Sequence, residues 1–173
     1  MAILTTMTLV VVWIIAARLI KTPSPHVDTV LENGEHLVAV LILGSETPDE
    51  QLSASMRAAV VAMRAKAAKS GAFFSTIGIS ADFDVSRGLE SIRRVDPVDE
   101  KIVGRGWLNS GLQAYVSERE AHQSMPQIVL FRDSVRASPA PLRVLKSYEV
   151  VRVSGRDEII RWVRAQQPPR RSR

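Results

Sequence analysis

The chain contains no cysteine in 173 residues. Disulfides, thiol catalysis and zinc-thiolate sites all need that sulfur and are excluded. The absence does not identify a compartment, because a cysteine-free chain suits either redox environment. Histidine is scarce: His26, His36 and His122 are scattered and fit no HExxH or similar ligand spacing. His36, at the edge of an apolar run, reads as a packing residue. There is no P-loop, and no G-x-S-x-G surrounds Ser45. Carboxylates cluster at Glu46-Asp49-Glu50 and at Asp82/Asp84. The first group suits a helix N-terminus, where the dipole favours negative charge. The second has too few neighbouring oxygen ligands to hold a hard cation. From these residues we expect no enzyme, no cofactor, no metal and no small-molecule substrate.

Charge is also missing from the start of the chain. Met1 to Ala17 carries no charged side chain, and after Arg18 the apolar character resumes at Leu19 and Ile20. Seventeen to twenty helical residues rise roughly 26–30 Å, enough to cross a hydrocarbon core. The rival reading, a cleaved signal peptide, lacks a basic leading region, and Ala16-Ala17-Arg18 is a poor cleavage site. A retained single span over residues 1–21 is therefore expected, with Arg18 and Lys21 reaching the headgroups. The positive-inside rule puts the folded part in the cytoplasm, with the periplasmic side as the alternative.

The basic excess lies at the other end. Up to Asp133 there are 13 Lys/Arg and 15 Asp/Glu, a balance of −2, whereas from Ser134 onward 10 Lys/Arg face 3 Asp/Glu, a balance of +7. Arg164, Arg170, Arg171 and Arg173 are thus candidate contacts for anionic lipid or an acidic partner; a solvated tail is the plainer reading. Nucleic acid is not expected, since no recognition motif or stacking platform accompanies the charge.

Between these ends the pattern is α/β. Residues 22–35 read as a stiff Pro-containing spacer and an edge hairpin, Val27 to Leu31 turning at Asn33-Gly34. His36 to Leu43 is an unbroken apolar run, the mark of a strand buried on both faces. Gly44 to Thr47 breaks it, and a helix follows over Asp49 to Lys69, with Thr47 or Ser45 as N-cap and Pro48 in the first turn. Leu52, Met56, Val60, Met63 and Ala67 mark its inner face, and Ser70-Gly71 its end. Ala72 to Ile79 is a second strand, which a helical crossover makes parallel to the first. A short helix over 85–94 takes Asp84 as N-cap and turns Leu89 and Ile92 inward. Asp96-Pro97 marks a turn, and Lys101 to Val103 a brief extended piece. Gly104-Arg105-Gly106 reads either as an anion cradle or as a loop shaped so that Trp107 packs; Asn109 stands where a dinucleotide fingerprint needs its third glycine. A helix follows from Leu108 to about Glu118, burying Leu112 and either Tyr115 or Val116. Gln127 to Arg132 is a third strong strand, entered through Met125-Pro126, where a cis bond would let proline stand at a strand mouth. A loop over 134–143, an antiparallel strand over 145–153 and a helix over 156–166 burying Ile159, Ile160 and Val163 complete the domain, 36–166. A basic tail, 167–173, follows.

This order, with Val38 to Glu50 running from strand into helix and Met125-Pro126 before the third strand, resembles the thioredoxin-like superfamily. The resemblance implies a mixed sheet flanked by helices, and a cis-proline surface that in that family contacts extended peptide. It also locates a departure. The family's Cys-x-x-Cys pair falls on about Thr47-Pro48-Asp49-Glu50, so dithiol exchange and thiol peroxidase chemistry are excluded. With the anchor, the layout resembles membrane-tethered thioredoxin-like proteins of bacteria. The expected role is a redox-inactive interaction module: an accessory or stabilising subunit of a bacterial inner-membrane complex, photosynthetic or respiratory. Its partners would be other membrane subunits and the bilayer, with contacts at Thr47, Pro48, Trp107, Met125 and Pro126. A tethered assembly chaperone or peptide-binding factor is the alternative, and a non-thiol enzyme a more distant one.

Overall fold

The structure is a computed structural model, and it describes residues 33–116, 124–136 and 143–166, with backbone alone for Trp107 and residues 143–145. The expected span, the spacer, most of the edge hairpin and the basic tail lie outside the described residues. Within them, no helix is long and apolar enough to cross a membrane.

The apolar run forms strand β1, Gly34–Leu43, whose last eight residues are all buried. Burial on both faces follows from its position. The sheet order is β3-β2-β1-β4-β5, so β1 is central. Strand β2, Phe73–Ser80, pairs parallel to it from His36↔Phe73 to Leu43↔Ser80. Strand β4, Gln127–Arg136, pairs antiparallel on its other side. The outer strands are β3, Glu100–Ile102, parallel to β2, and β5, Arg143–Ser154, antiparallel to β4.

Helix α1, Glu50–Ser70, links β1 to β2 and buries Leu52, Met56, Val60, Met63 and Ala67, the expected inner face. Gly71 ends it in the left-handed conformation, φ 69°, with its N–H returning to Ala67 and Ala68. Helix α2, Val85–Arg94, is capped by Asp84, buries Ile92 and leaves Leu89 half-buried. Helix α3, Ser110–Tyr115, and helix α4, Arg156–Gln166, complete the set. One face of the sheet packs Ala39, Leu41, Leu43 and Ile128 against α1, α4 and the end of α2. The other packs Val38, Val40, Ile42, Ile77 and Ile79, with Leu112 of α3. His36 is buried, its ring stacked 4.7 Å from that of Phe73.

Several expectations are corrected. The N-cap of α1 is Asp49, whose carboxylate accepts from the Leu52 N–H at 2.8 Å. Neither Thr47 nor Ser45 caps it, and Pro48 precedes the cap instead of opening the helix. The helix expected from Leu108 begins at Ser110, because a 3-10 turn, Gly106–Leu108, intervenes and Asn109 takes the cap. Strand β4 continues to Arg136 through positions read as loop. Strand β5 carries a bulge at Val150: Leu130 pairs with Val151 and Phe131 with Glu149, leaving Val150 unpaired. Both Met125-Pro126 and Asp96-Pro97 are cis; the first is the bond the sequence points to, and at the second the sequence marks a turn without its isomer.

Candidate functional site

The end of β1 supplies the site. After Leu43 the chain leaves the sheet, and Gly44 brings it against the cis-proline loop; a Cβ at Gly44 would lie 3.4 Å from that of Met125. Hydrogen bonds fix the surrounding strand ends. Ala81 N–H donates to the Leu43 carbonyl at 2.9 Å, and Gly155 N–H to that of Pro126 at 2.7 Å. The result is a cleft of about 490 Å³, lined by Leu43 to Asp49, Leu52, Ala81, Met125, Pro126 and Arg156.

Of the expected contact residues, Thr47, Pro48, Met125 and Pro126 all line this cleft. Thr47 is exposed and Pro48 buried, so Thr47 offers its hydroxyl while Pro48 forms part of the wall. Trp107 sits in the 3-10 turn, and its side chain lies outside the description. Arg164 is exposed on α4, beside a shallow hollow it shares with Gln51, Arg156 and Arg161. Arg18, Lys21, Arg170, Arg171 and Arg173 lie outside the described residues.

Sequence reading missed Arg156. Its guanidinium donates to Asp49 Oδ2 at 2.9 Å, to Gln51 Oε1 at 3.0 Å and to Asp157 Oδ1 at 3.0 Å. One side chain thus ties the start of α4 to the start of α1. No local signal marks this pair, because its members are 107 positions apart. The Leu52 N–H, followed by the Arg156 guanidinium, holds the Asp49 carboxyl below its ordinary range, and Asp49 and Asp157 raise Arg156. A carboxylate shifted downward favours the folded state wherever it is ionised. That support is complete above about pH 5 and fades as pH falls through and below the ordinary aspartate value of about 3.9. Asp49→Asn keeps the cap acceptor and loses the ion pair. The stability gap between wild type and this variant is therefore expected to close during acid titration followed by circular dichroism. A gap that widens toward acid would contradict this role.

Chemically, the cleft presents apolar walls from Leu43, Ala81, Met125 and Pro126, with the hydroxyls of Ser45 and Thr47. Its guanidinium is already engaged by acceptors. Among the described residues no group of three or more His, Asp or Glu side chains is placed to hold a metal ion. Tyr115, on the other face of the sheet, has its phenol pushed upward by burial and then by the charges of Glu100 and Asp133.

A parallel β1-α1-β2 unit, a cis-proline at the mouth of an antiparallel third core strand, and a final β5-α4 step make this a thioredoxin-like fold. Its strand-to-helix junction carries no sulfur. No family model matches the sequence, and no curated protein matches it. A solved structure of BsSco, described as a member of the Sco family of cytochrome c oxidase assembly proteins, is similar over 75% of this chain and 79% of its own. The identity is 20% and the TM-score 0.32. A likeness of that extent transfers neither an activity nor a partner.

Proposed function

We propose that this chain is a redox-inactive interaction module, tethered to the bacterial inner membrane by residues 1–21, and an accessory or stabilising subunit of a membrane complex. The observation that carries the reading is the cleft. Thr47, Pro48, Met125 and cis-Pro126 converge where a thioredoxin-like protein keeps its dithiol, in a chain without cysteine. A junction that keeps the walls and lacks the nucleophile supports contact better than turnover. Arg18, Lys21, Arg164 and the C-terminal arginines add headgroup or acidic-partner contacts. Energy-transducing assemblies, respiratory or photosynthetic, are the class of complex such a single-span subunit suits, with the soluble domain in the cytoplasm by the positive-inside rule.

The experiment is purification of the full chain in mild detergent with quantitative stoichiometry. Fixed-ratio recovery with other membrane subunits is expected, and recovery of the chain alone as a monomer would end the proposal. The cleft's open apolar wall favours one second reading, a tethered assembly factor that holds client segments beside Pro126. It predicts association that is transient and substoichiometric.

A further inference from the structure

The two ends of the sheet differ in charge. At the end that holds the Pro126 cleft, Glu46, Asp49, Glu50, Asp84 and Asp157 are exposed, and Arg156 is bound to two of them. At the other end β1 opens at Gly34 and β4 closes at Arg136, and there cations predominate. The register gathers them on one face, because residues paired across a ladder share a face and side chains alternate along a strand. Arg132 stands opposite Tyr148, Ser134 opposite Lys146 and Arg136 opposite Arg143. Arg132 and Arg136 continue the row of Ile128 and Leu130, on the face that α1 and α4 cover nearer the cleft. Lys66 and Lys69, exposed in the last turns of α1, lie at the same end.

Arg132, Arg136 and Lys146 are exposed, and none makes a hydrogen bond or ion pair among the described residues. Like charges at directly opposed positions repel, so arginine at both 136 and 143 is an arrangement that a shared anion would relieve. The nearby carboxylates do not supply one. Asp133 is buried on the opposite face, and Glu149, also on that face, is bound to Arg152 at 2.6 Å. Glu35 alone shares the patch's face, at its rim opposite Ser134, one carboxylate against three cations. Among these cations Tyr148 is 51% exposed. Arginine and lysine around an exposed tyrosine suit a bilayer interface, where the ring sits at headgroup depth and the long stems reach phosphate.

Position selects the occupant. The chain enters β1 at Gly34, beside Val135 and Arg136. Residues 22–33, between the expected span and β1, extend to at most about 40 Å. That tether lets the domain touch the membrane, and charge then decides which face does so: anionic headgroups attract the patch and repel the carboxylates around the cleft. We infer that Arg132, Arg136 and Lys146, set around Tyr148 on the β4–β5 face, dock the domain on anionic lipid headgroups. Docked in this way, the domain carries its cleft at the far end of β1, roughly 30 Å along the strand, turned toward the aqueous side. This rests on the anchored-subunit reading above and adds how the domain stands on the bilayer.

The full chain has no cysteine, so one donor dye can be attached through Ser147→Cys, beside the patch, or through Ser45→Cys, on the cleft. Each labelled chain is reconstituted into vesicles of phosphatidylcholine with or without phosphatidylglycerol, with an acceptor dye on the headgroups. Donor lifetimes then give the ratio of docked to undocked domains. At position 147 this ratio should fall about fivefold or more when phosphatidylglycerol is omitted, the scale of one cation's contact with an anionic surface. Arg132→Glu and Lys146→Glu should each lower it about fivefold or more. Arg132→Lys should hold it within about twofold, as should Arg93→Glu, an exposed position on α2 beside β2. A label at 45 should show little transfer in either vesicle. A ratio at 147 that ignores phosphatidylglycerol, as for a patch that meets an acidic protein instead, would overturn the inference. Equal transfer at 45 and 147, or wild-type docking by Arg132→Glu and Lys146→Glu, would do the same. Release of the chain by alkaline carbonate would overturn the anchor and the surface together. If the chain is retained and recovers fixed-ratio partners while these tests fail, the subunit reading stands and only the surface falls.

Discussion

Leu41→Ala is expected to cost about 3–5 kcal/mol of folding stability, the range for a large aliphatic residue deleted from a core that cannot collapse around the gap. Leu41 is fully buried in the central strand. Its backbone neighbours are Gly78 on one side and Ile128 on the other, and its core includes Met56, Val60 and Ile159. Strands on both sides and helices above leave little freedom to relax. Set against total stabilities of about 5–15 kcal/mol for ordinary domains, this one change removes roughly a fifth of the margin or more. Urea denaturation read by circular dichroism measures it, with Val61→Ala, exposed on α1, as a control expected within about 0.5 kcal/mol of wild type. A cost for Leu41→Ala below about 1 kcal/mol would mean that the central strand is packed otherwise.

The second large effect separates two substitutions at Asn109, which is buried. Its Oδ1 accepts from the Leu112 N–H at 2.7 Å, capping α3, and its Nδ2 donates to the Ser80 carbonyl at 2.9 Å. Asn109→Ala removes both bonds and strands a buried donor and acceptor, at about 2–3 kcal/mol. Asn109→Asp keeps a good capping oxygen, yet is expected to cost more at neutral pH. Its second oxygen would face the Ser80 carbonyl, lone pair to lone pair, and the charge would be buried. A proton relieves both problems by turning that oxygen into a donor, so the folded-state pKa of the new carboxyl rises. The Asp variant should therefore regain stability relative to the Ala variant as pH falls from 7 toward the carboxylate range, the reverse of the behaviour expected at Asp49. Equal stabilities of the two variants across pH would show that the Ser80 bond contributes nothing.

The elements easiest to read were those whose pattern is local. β1 announced itself because eight apolar residues in a row suit only burial on both faces. α1 did so through five side chains at helical spacing. Its cap was harder. Ser45, Thr47 and Asp49 are comparable acceptors by local chemistry, and the choice among them follows from how the chain leaves β1 and from Arg156, which engages Asp49 from the start of α4. The sequence does not locate the start of α3, because three consecutive left-handed residues, one of them arginine, precede a 3-10 turn that composition does not announce. The bulge at Val150 is set by the register with β4, which no local pattern in β5 specifies.

By itself the sequence determined that no thiol chemistry is available and that a parallel strand-helix-strand unit lies at the centre. Composition, periodicity and turn residues act over a few positions, and these two conclusions need nothing longer; that Thr47 and Pro48 meet Met125 and Pro126 was implied by the resemblance to the thioredoxin-like superfamily. Only the tertiary structure decided that Arg156 closes on Asp49, that Asn109 reaches Ser80, and that Phe83 lies on Gly106 beside an exposed Leu108. Each of those meetings depends on sheet register and helix placement, which set distances between residues far apart in the chain.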